Sequence, residues 1–205
     1  MPQKVACEMV SWAAVVSLAQ KLAVQIQGDN YHPDIIVAIG RGGYVPARLL
    51  ADYLDMMNLT SIKIEHYFRG LHKHPVTTVI YPLSIDVTDQ RVLLVDDVSD
   101  SGETFEVALQ HIQQRSKPQS IRTAVLHHKV VSSYTPDYYG DELHEWRWLT
   151  YPWAQVEDIG SFIEEMDPAP ETVEELAQEL ESSYGLRVDG KLLDYILHRL
   201  ELERT

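Results

Sequence analysis

Two acids, Asp96 and Asp97, stand three residues ahead of Asp100-Ser101-Gly102-Glu103-Thr104. Paired carboxylates at that place can hold sugar hydroxyls, or a hydrated Mg²⁺ that takes one or two carboxylates plus substrate oxygens. A turn of small residues that opens onto a helix offers backbone N–H groups and the positive end of a dipole to a phosphate. Arg41-Gly42-Gly43 is a second anion-binding candidate. Its glycines let the backbone approach an anion closely, and the Arg41 guanidinium neutralises charge with a planar fork of donors.

These side chains need particular elements to carry them. Val92 to Val95 is an unbroken apolar run, which reads as a strand buried on both faces, with the acids at its carboxyl end. A helical run follows from Phe105 to Gln114. Ligands of open α/β sheets bind at the carboxyl ends of strands. The pattern repeats at 34–48, where an apolar strand, the Arg-Gly-Gly turn and a Val-Pro helix follow one another. That turn is neither a G-x-G-x-x-G fingerprint nor a Walker loop. Helices are expected at 8–27, with Ser11 as cap, at 44–57 and at 103–115. Strands are expected at 35–40, 60–66, 91–96 and 120–127. Alternation of this kind means a mainly parallel sheet flanked by helices. Residues 67–90 are long for a plain loop, and Thr77 to Tyr81 is rich in β formers, so strands are expected inside it. Residues 128–153 read as irregular and aromatic.

With these segments on the page, the chain resembles the type I phosphoribosyltransferases. Val92 to Thr104 resembles their phosphoribosyl-diphosphate (PRPP) signature, and Arg41-Gly42-Gly43 is similar to the diphosphate loop of the 6-oxopurine members. Lys129, and Trp148-Leu149 ahead of Pro152-Trp153, fall where xanthine-guanine phosphoribosyltransferases hold the purine. The bland alternative is an ordinary strand-turn-helix of a doubly wound protein; a receiver domain would explain the acids but not the Ser-Gly-Glu-Thr loop. Two departures stand out. Glu103 is an acid beside a phosphate site, and Ala154 replaces an acid that often follows Pro-Trp, so that Glu157 or Asp158 would have to stand in for it.

The resemblance implies the type I phosphoribosyltransferase fold and a purine-salvage reaction: PRPP plus hypoxanthine, guanine or xanthine gives the nucleotide and diphosphate. It places the 5′-phosphate on Asp100, Ser101, Gly102, Glu103 and Thr104, and the diphosphate on Arg41, Gly42 and Gly43. The base falls to Lys129, Trp148 and Leu149. Asp96 and Asp97 would hold the ribose hydroxyls, directly or through hydrated Mg²⁺, and Asp100 would be the general base. It also implies a lid carrying Tyr67, Arg69 and Lys73, an aromatic hood at about 128–153, and a homodimer or homotetramer. Two other readings stay open: another acceptor (a pyrimidine, adenine or a non-nucleobase nitrogen), and a PRPP- or nucleotide-sensing regulator that has kept the fold.

Composition narrows the class further. One cysteine, Cys7, among 205 residues allows no internal disulfide and no Cys-based metal cluster, and a reducing cytosol is the natural expectation. Neither the His72/His74 pair nor His127-His128 has the helical spacing of a zinc site. No apolar run approaches the ~20 residues of a membrane span, and the first 27 residues read as an amphipathic helix rather than a signal peptide. Net charge is −14, of which residues 155–205 carry −10. Such acidity argues against nucleic acid as a general partner. Residues 1–154 are therefore read as the core with its hood, and 155–205 as an acidic helical extension. In that extension Thr172 caps one helix and a last helix runs from Gly190 to Leu200.

Overall fold

The computed structural model describes residues 5–67, 73–167, 170 and 172–203. Two compact units divide the chain. One is built from 13–66 and 74–145, the other from 5–12, 67, 73 and 146–203 among the described residues.

The larger unit holds a six-stranded sheet. Its strands are β2 (Ile35–Gly40), β3 (Leu59–Tyr67), β4 (Lys73–Tyr81), β5 (Arg91–Ser99), β6 (Ser120–Lys129) and β7 (Tyr138–Leu143), in the order β4-β3-β2-β5-β6-β7. The pairings β2–β3, β2–β5, β5–β6 and β6–β7 are all parallel. β2 is buried along its whole length, and β5 from Val92 to Asp96. One face packs Val37, Ile39, Leu94 and Val125 against Phe105, Ala108 and Ile112 of α3 (Glu103–Arg115). The alternate residues Ile36, Ala38, Leu93 and Leu126 are buried too, as they must be in a parallel sheet covered on both sides.

Several boundaries differ from those read in the sequence. Residues 7–9 form a strand, β1 (Cys7–Met9), and the first helix, α1 (Trp12–Gly28), begins only after Ser11. The second helix, α2 (Tyr44–Tyr53), stops short of residue 57 because Asp55 turns left-handed at φ 53°. The Met56 N–H then bonds the Ala51 carbonyl and the Asp55 N–H the Asp52 carbonyl, a Schellman ending that satisfies the last turn. β5 and β6 run two or three residues further than expected, to Ser99 and Lys129, so the acids and the lysine lie on strand backbone. The 128–153 segment is not irregular. It contains β7, which completes the large sheet, and β8 (Trp148–Thr150).

The smaller unit pairs β1 with β8 in parallel, Cys7 opposite Trp148 and Met9 opposite Thr150, with Arg147 bonded to Glu8 at 3.1 Å. Three helices follow: α4 (Gln155–Glu164), α5 (Val173–Tyr184) and α6 (Gly190–Glu203). Ile159, Phe162, Leu176, Leu180, Leu193 and Ile196 form their core. α4 lies outside the helices expected from the sequence, although Val156, Ile159, Phe162 and Ile163 recur at helical spacing; Asp158 to Ile163 are all buried. α5 starts as expected, with the Thr172 hydroxyl accepting from the Glu175 N–H at 3.1 Å. Among the described residues no helix is long and apolar enough to cross a membrane.

Candidate active site

Two glycine turns and one acidic strand end meet in the larger unit. The strand β2 ends at Gly40, the Gly40–Arg41 peptide is cis, and Gly43 caps α2. A Cβ at Gly43 would overlap the Val95 and Ile39 carbonyl oxygens. A Cβ at Gly42 would overlap the Asp97 carboxylate, with Oδ1 2.6 Å away. Only residues without side chains fit there. The predicted diphosphate loop and the predicted acid pair are therefore in direct contact.

The two acids have different surroundings. Asp96 is 8% exposed, and its Oδ1 accepts the Asp97 N–H at 2.9 Å. Burial, then the like charge of Asp97, push its carboxyl well above the usual carboxylate range, although the Asp97 and Gly43 N–H groups oppose the shift. Asp97 is half-buried, against Gly42. Such an oxygen-only pair fits Mg²⁺, which completes its shell with water and substrate oxygens. Among the described residues no three His, Cys, Asp or Glu side chains are grouped to hold a metal by themselves.

The turn after β5 runs through Asp100, Ser101 and Gly102 into α3. Gly102 is left-handed at φ 93° and caps the helix; its carbonyl accepts the Phe105 and Glu106 N–H groups at 3.0 and 3.2 Å. Earlier N–H groups of a helix have no intrahelical acceptor, which makes this end a phosphate cradle in form. Glu103, the departure noted above, is exposed, and its Oε2 accepts the Thr77 hydroxyl of β4 at 2.9 Å.

Lys129 ends β6. It is only 2% exposed, and its Nζ lies 3.2 Å from Asp100 Oδ1. The register that pairs Ser99 with His128 brings Asp100 and Lys129 to the same level of neighbouring strands. Five predicted residues or groups thus come together in one unit: Arg41-Gly42-Gly43, Asp96-Asp97, Asp100, the turn to Thr104, and Lys129. Trp148 and Leu149 are in the other unit. Trp148 is half-buried and packs against the helical core, and Leu149 is buried. Of the two acids weighed as substitutes for Ala154, Asp158 is 4% exposed and Glu157 is half-buried in the first turn of α4. Of the lid residues, Arg69 lies outside the described residues. Tyr67 and Lys73 are the last residue of β3 and the first of β4.

Sequence reasoning missed one set of neighbours. Ser132, Ser133 and Tyr134, just after β6, lie against the turn through Ser101 and Gly102. The Ser133 N–H donates to the Ser101 carbonyl at 3.0 Å, and its hydroxyl lies 2.8 Å from the same oxygen. Ser99 Oγ is 2.8 Å from Ser132 Oγ and donates to the Tyr134 carbonyl at 3.0 Å. Tyr134 stacks on Phe105 at 5.2 Å. The only hint was a run of hydroxyl residues beside a strand end, which by itself points nowhere.

The phosphoribosyl transferase domain model matches residues 8–154, which spans both glycine turns, both acids and Lys129. The chain belongs to this family. Among solved structures, a purine phosphoribosyltransferase from Pyrococcus horikoshii Ot3 superimposes with a TM-score of 0.62 at 32% identity, over 72% of this chain and 93% of that one. The xanthine-guanine phosphoribosyltransferase of Cereibacter sphaeroides is 28% identical over 70% of this chain and 84% of its own. A bifunctional protein PyrR from Ralstonia nicotianae is 25% identical over 69% and 81%. Against the hypoxanthine-guanine phosphoribosyltransferase of Saccharomyces cerevisiae, 27% identical, the match spans 55% of this chain and 58% of that one. The smaller unit's helices α4–α6 lie beyond the family match.

Proposed function

We propose that this phosphoribosyltransferase moves the 5-phosphoribosyl group of PRPP to a 6-oxopurine base, hypoxanthine, guanine or xanthine, and releases diphosphate. The observation that carries this reading is the Lys129–Asp100 pair, a donor and an acceptor 3.2 Å apart at one level of the sheet. A 6-oxopurine presents the matching pair on one edge, a carbonyl oxygen beside an imidazole N–H. Adenine presents an amino group at that position, which offers Lys129 no acceptor.

On this reading the 5′-phosphate rests on the turn from Asp100 to Thr104, where helix N–H groups and the dipole of α3 favour it. Asp96 and Asp97 hold the ribose hydroxyls. The loop Arg41-Gly42-Gly43 takes the diphosphate. Asp96 and Asp97 would hold Mg²⁺, directly or through water, and the ion would offset the charge of the diphosphate. The C1–O bond breaks and its electron pair leaves with the diphosphate, giving an oxocarbenium-like sugar that the nearby carboxylates stabilise electrostatically. A purine nitrogen attacks C1, forming the new C–N bond, and the proton on the other imidazole nitrogen passes to Asp100. Lys129 holds the 6-oxo group. In the cell the product nucleotide would make this a salvage step, in the cytosol and in a homo-oligomer.

Diphosphate release from PRPP and Mg²⁺, with hypoxanthine, guanine, xanthine, adenine, uracil and orotate in turn, tests the reading. Release with one or more oxopurines and not with adenine or the pyrimidines is expected. Release with uracil or orotate alone would overturn the base assignment. The likeness to a bifunctional protein PyrR supports a second reading, a nucleotide-binding regulator on the same fold. PRPP binding with silence toward every base would move the weight there.

A further inference from the structure

A trans peptide points its carbonyl and its N–H in opposite directions. The Ser101 carbonyl belongs to the same peptide plane as the Gly102 N–H. Two groups of Ser133 hold that carbonyl, its N–H at 3.0 Å and its hydroxyl at 2.8 Å. The Gly102 N–H is thereby aimed away from Ser133. The same hydroxyl lies 3.0 Å from Glu106 Oε1, one of two first-turn acids of α3, while Thr77 engages the other, Glu103. A Cβ at Gly102 would lie 2.6 Å from Ser133 Oγ and 2.6 Å from the Tyr134 nitrogen, so turn and brace are in van der Waals contact already. The brace is itself anchored: Ser99 bonds Ser132 and Tyr134, Tyr134 stacks on Phe105, and the Tyr134 hydroxyl is 3.2 Å from Thr123 Oγ1.

We infer that Ser133 is a positioning residue for the 5′-phosphate of the substrate: through its N–H and its hydroxyl proton, both on the Ser101 carbonyl, it orients the Gly102 N–H toward the phosphate. This rests on the phosphate-turn reading under the proposed function. Ser133 needs no contact with substrate. Its effect is to keep one donor preorganised, so that binding does not have to order it.

The test uses the full chain and two ligands, ribose 5-phosphate and inorganic diphosphate, with binding followed by calorimetry and turnover in parallel. Ser133→Ala is expected to weaken ribose 5-phosphate and raise KM for PRPP by three- to tenfold, with diphosphate affinity and KM for the base within twofold of the parent. Ser133→Thr keeps the hydroxyl and is expected to restore the parent values. Equal affinity of parent and Ser133→Ala for ribose 5-phosphate would overturn the inference. So would a uniform loss toward both ligands, or a loss that Ser133→Thr does not repair. If the parent itself does not bind ribose 5-phosphate, the phosphate-turn reading is what fails.

Discussion

Lys129 Nζ lies 3.2 Å from Asp100 Oδ1, and the two side chains are 2% and 14% exposed. A lysine so withdrawn from water is stable in its charged form only beside an opposite charge, and Asp100 supplies it. The pair therefore has two jobs at once, to satisfy the end of β6 and to present a donor next to an acceptor.

Lys129→Ala removes one partner and leaves the other shielded from solvent. A loss of about 3 kcal/mol in folding stability is expected, with a relaxed preference between 6-oxopurines and adenine. Denaturant unfolding together with kcat/KM for hypoxanthine and adenine checks both. An unchanged base ratio would defeat the 6-oxo assignment.

Asp100→Asn keeps the shape of the turn and removes the proton acceptor. Turnover is expected to fall by about 10²- to 10⁴-fold, with KM for PRPP changed only a few-fold. Steady-state kinetics with PRPP and the preferred base decide it. Retained turnover would exclude Asp100 as the base.

Gly42→Ala places a methyl group onto the Asp97 carboxylate. Either the Arg41 loop or Asp97 must shift, and a displacement near 1 Å at such a site costs on the order of 10²-fold in rate. Weaker inhibition by inorganic diphosphate should accompany the slower rate. Parent-like inhibition would separate this loop from the diphosphate.

Asp34 accepts the Arg91 N–H, Nε and Nη2 at 2.8, 3.0 and 2.8 Å, and these bonds hold its carboxyl down at about 2. A depressed carboxylate stabilises the fold above its unfolded value near 3.9, and that contribution disappears as pH falls from about 4 to 2. Both side chains are more than a third exposed, so solvent screening limits the effect to about 1 kcal/mol or less. Melting temperatures from pH 5 to 2 should fall more gently in Asp34→Asn than in the parent. Parallel curves would remove the pair from the pH response.

Leu180 is fully buried at the centre of the helical core of the smaller unit. Leu180→Ala is expected to cost about 2–5 kcal/mol. Hydrogen exchange should show the loss in α4–α6, with β2, β5 and β6 keeping their protection. Uniform loss across both units would mean that they unfold as one.

What the sequence by itself determined is local. Strand, glycine turn and helix follow one another directly in the chain, so the turn at Asp100–Thr104 and the Arg41-Gly42-Gly43 loop were legible as strand-to-helix turns from residue type and spacing, and the family match spans both. The unbroken apolar runs at 35–39 and 92–95 sufficed for a buried parallel sheet, because only strands covered on both faces need no polar side. The tertiary structure alone decided the rest. Strand register brought Lys129 onto Asp100, and a loop 32 residues away in the chain brought Ser133 onto Ser101. β1 paired with β8 across a separation of 139 residues at the Glu8–Arg147 contact, which placed Trp148 with the C-terminal helices rather than in an irregular hood. Residue type carries no information about such partners, because hydrogen-bond register and packing between distant segments are settled only when the whole sheet and its helices close together.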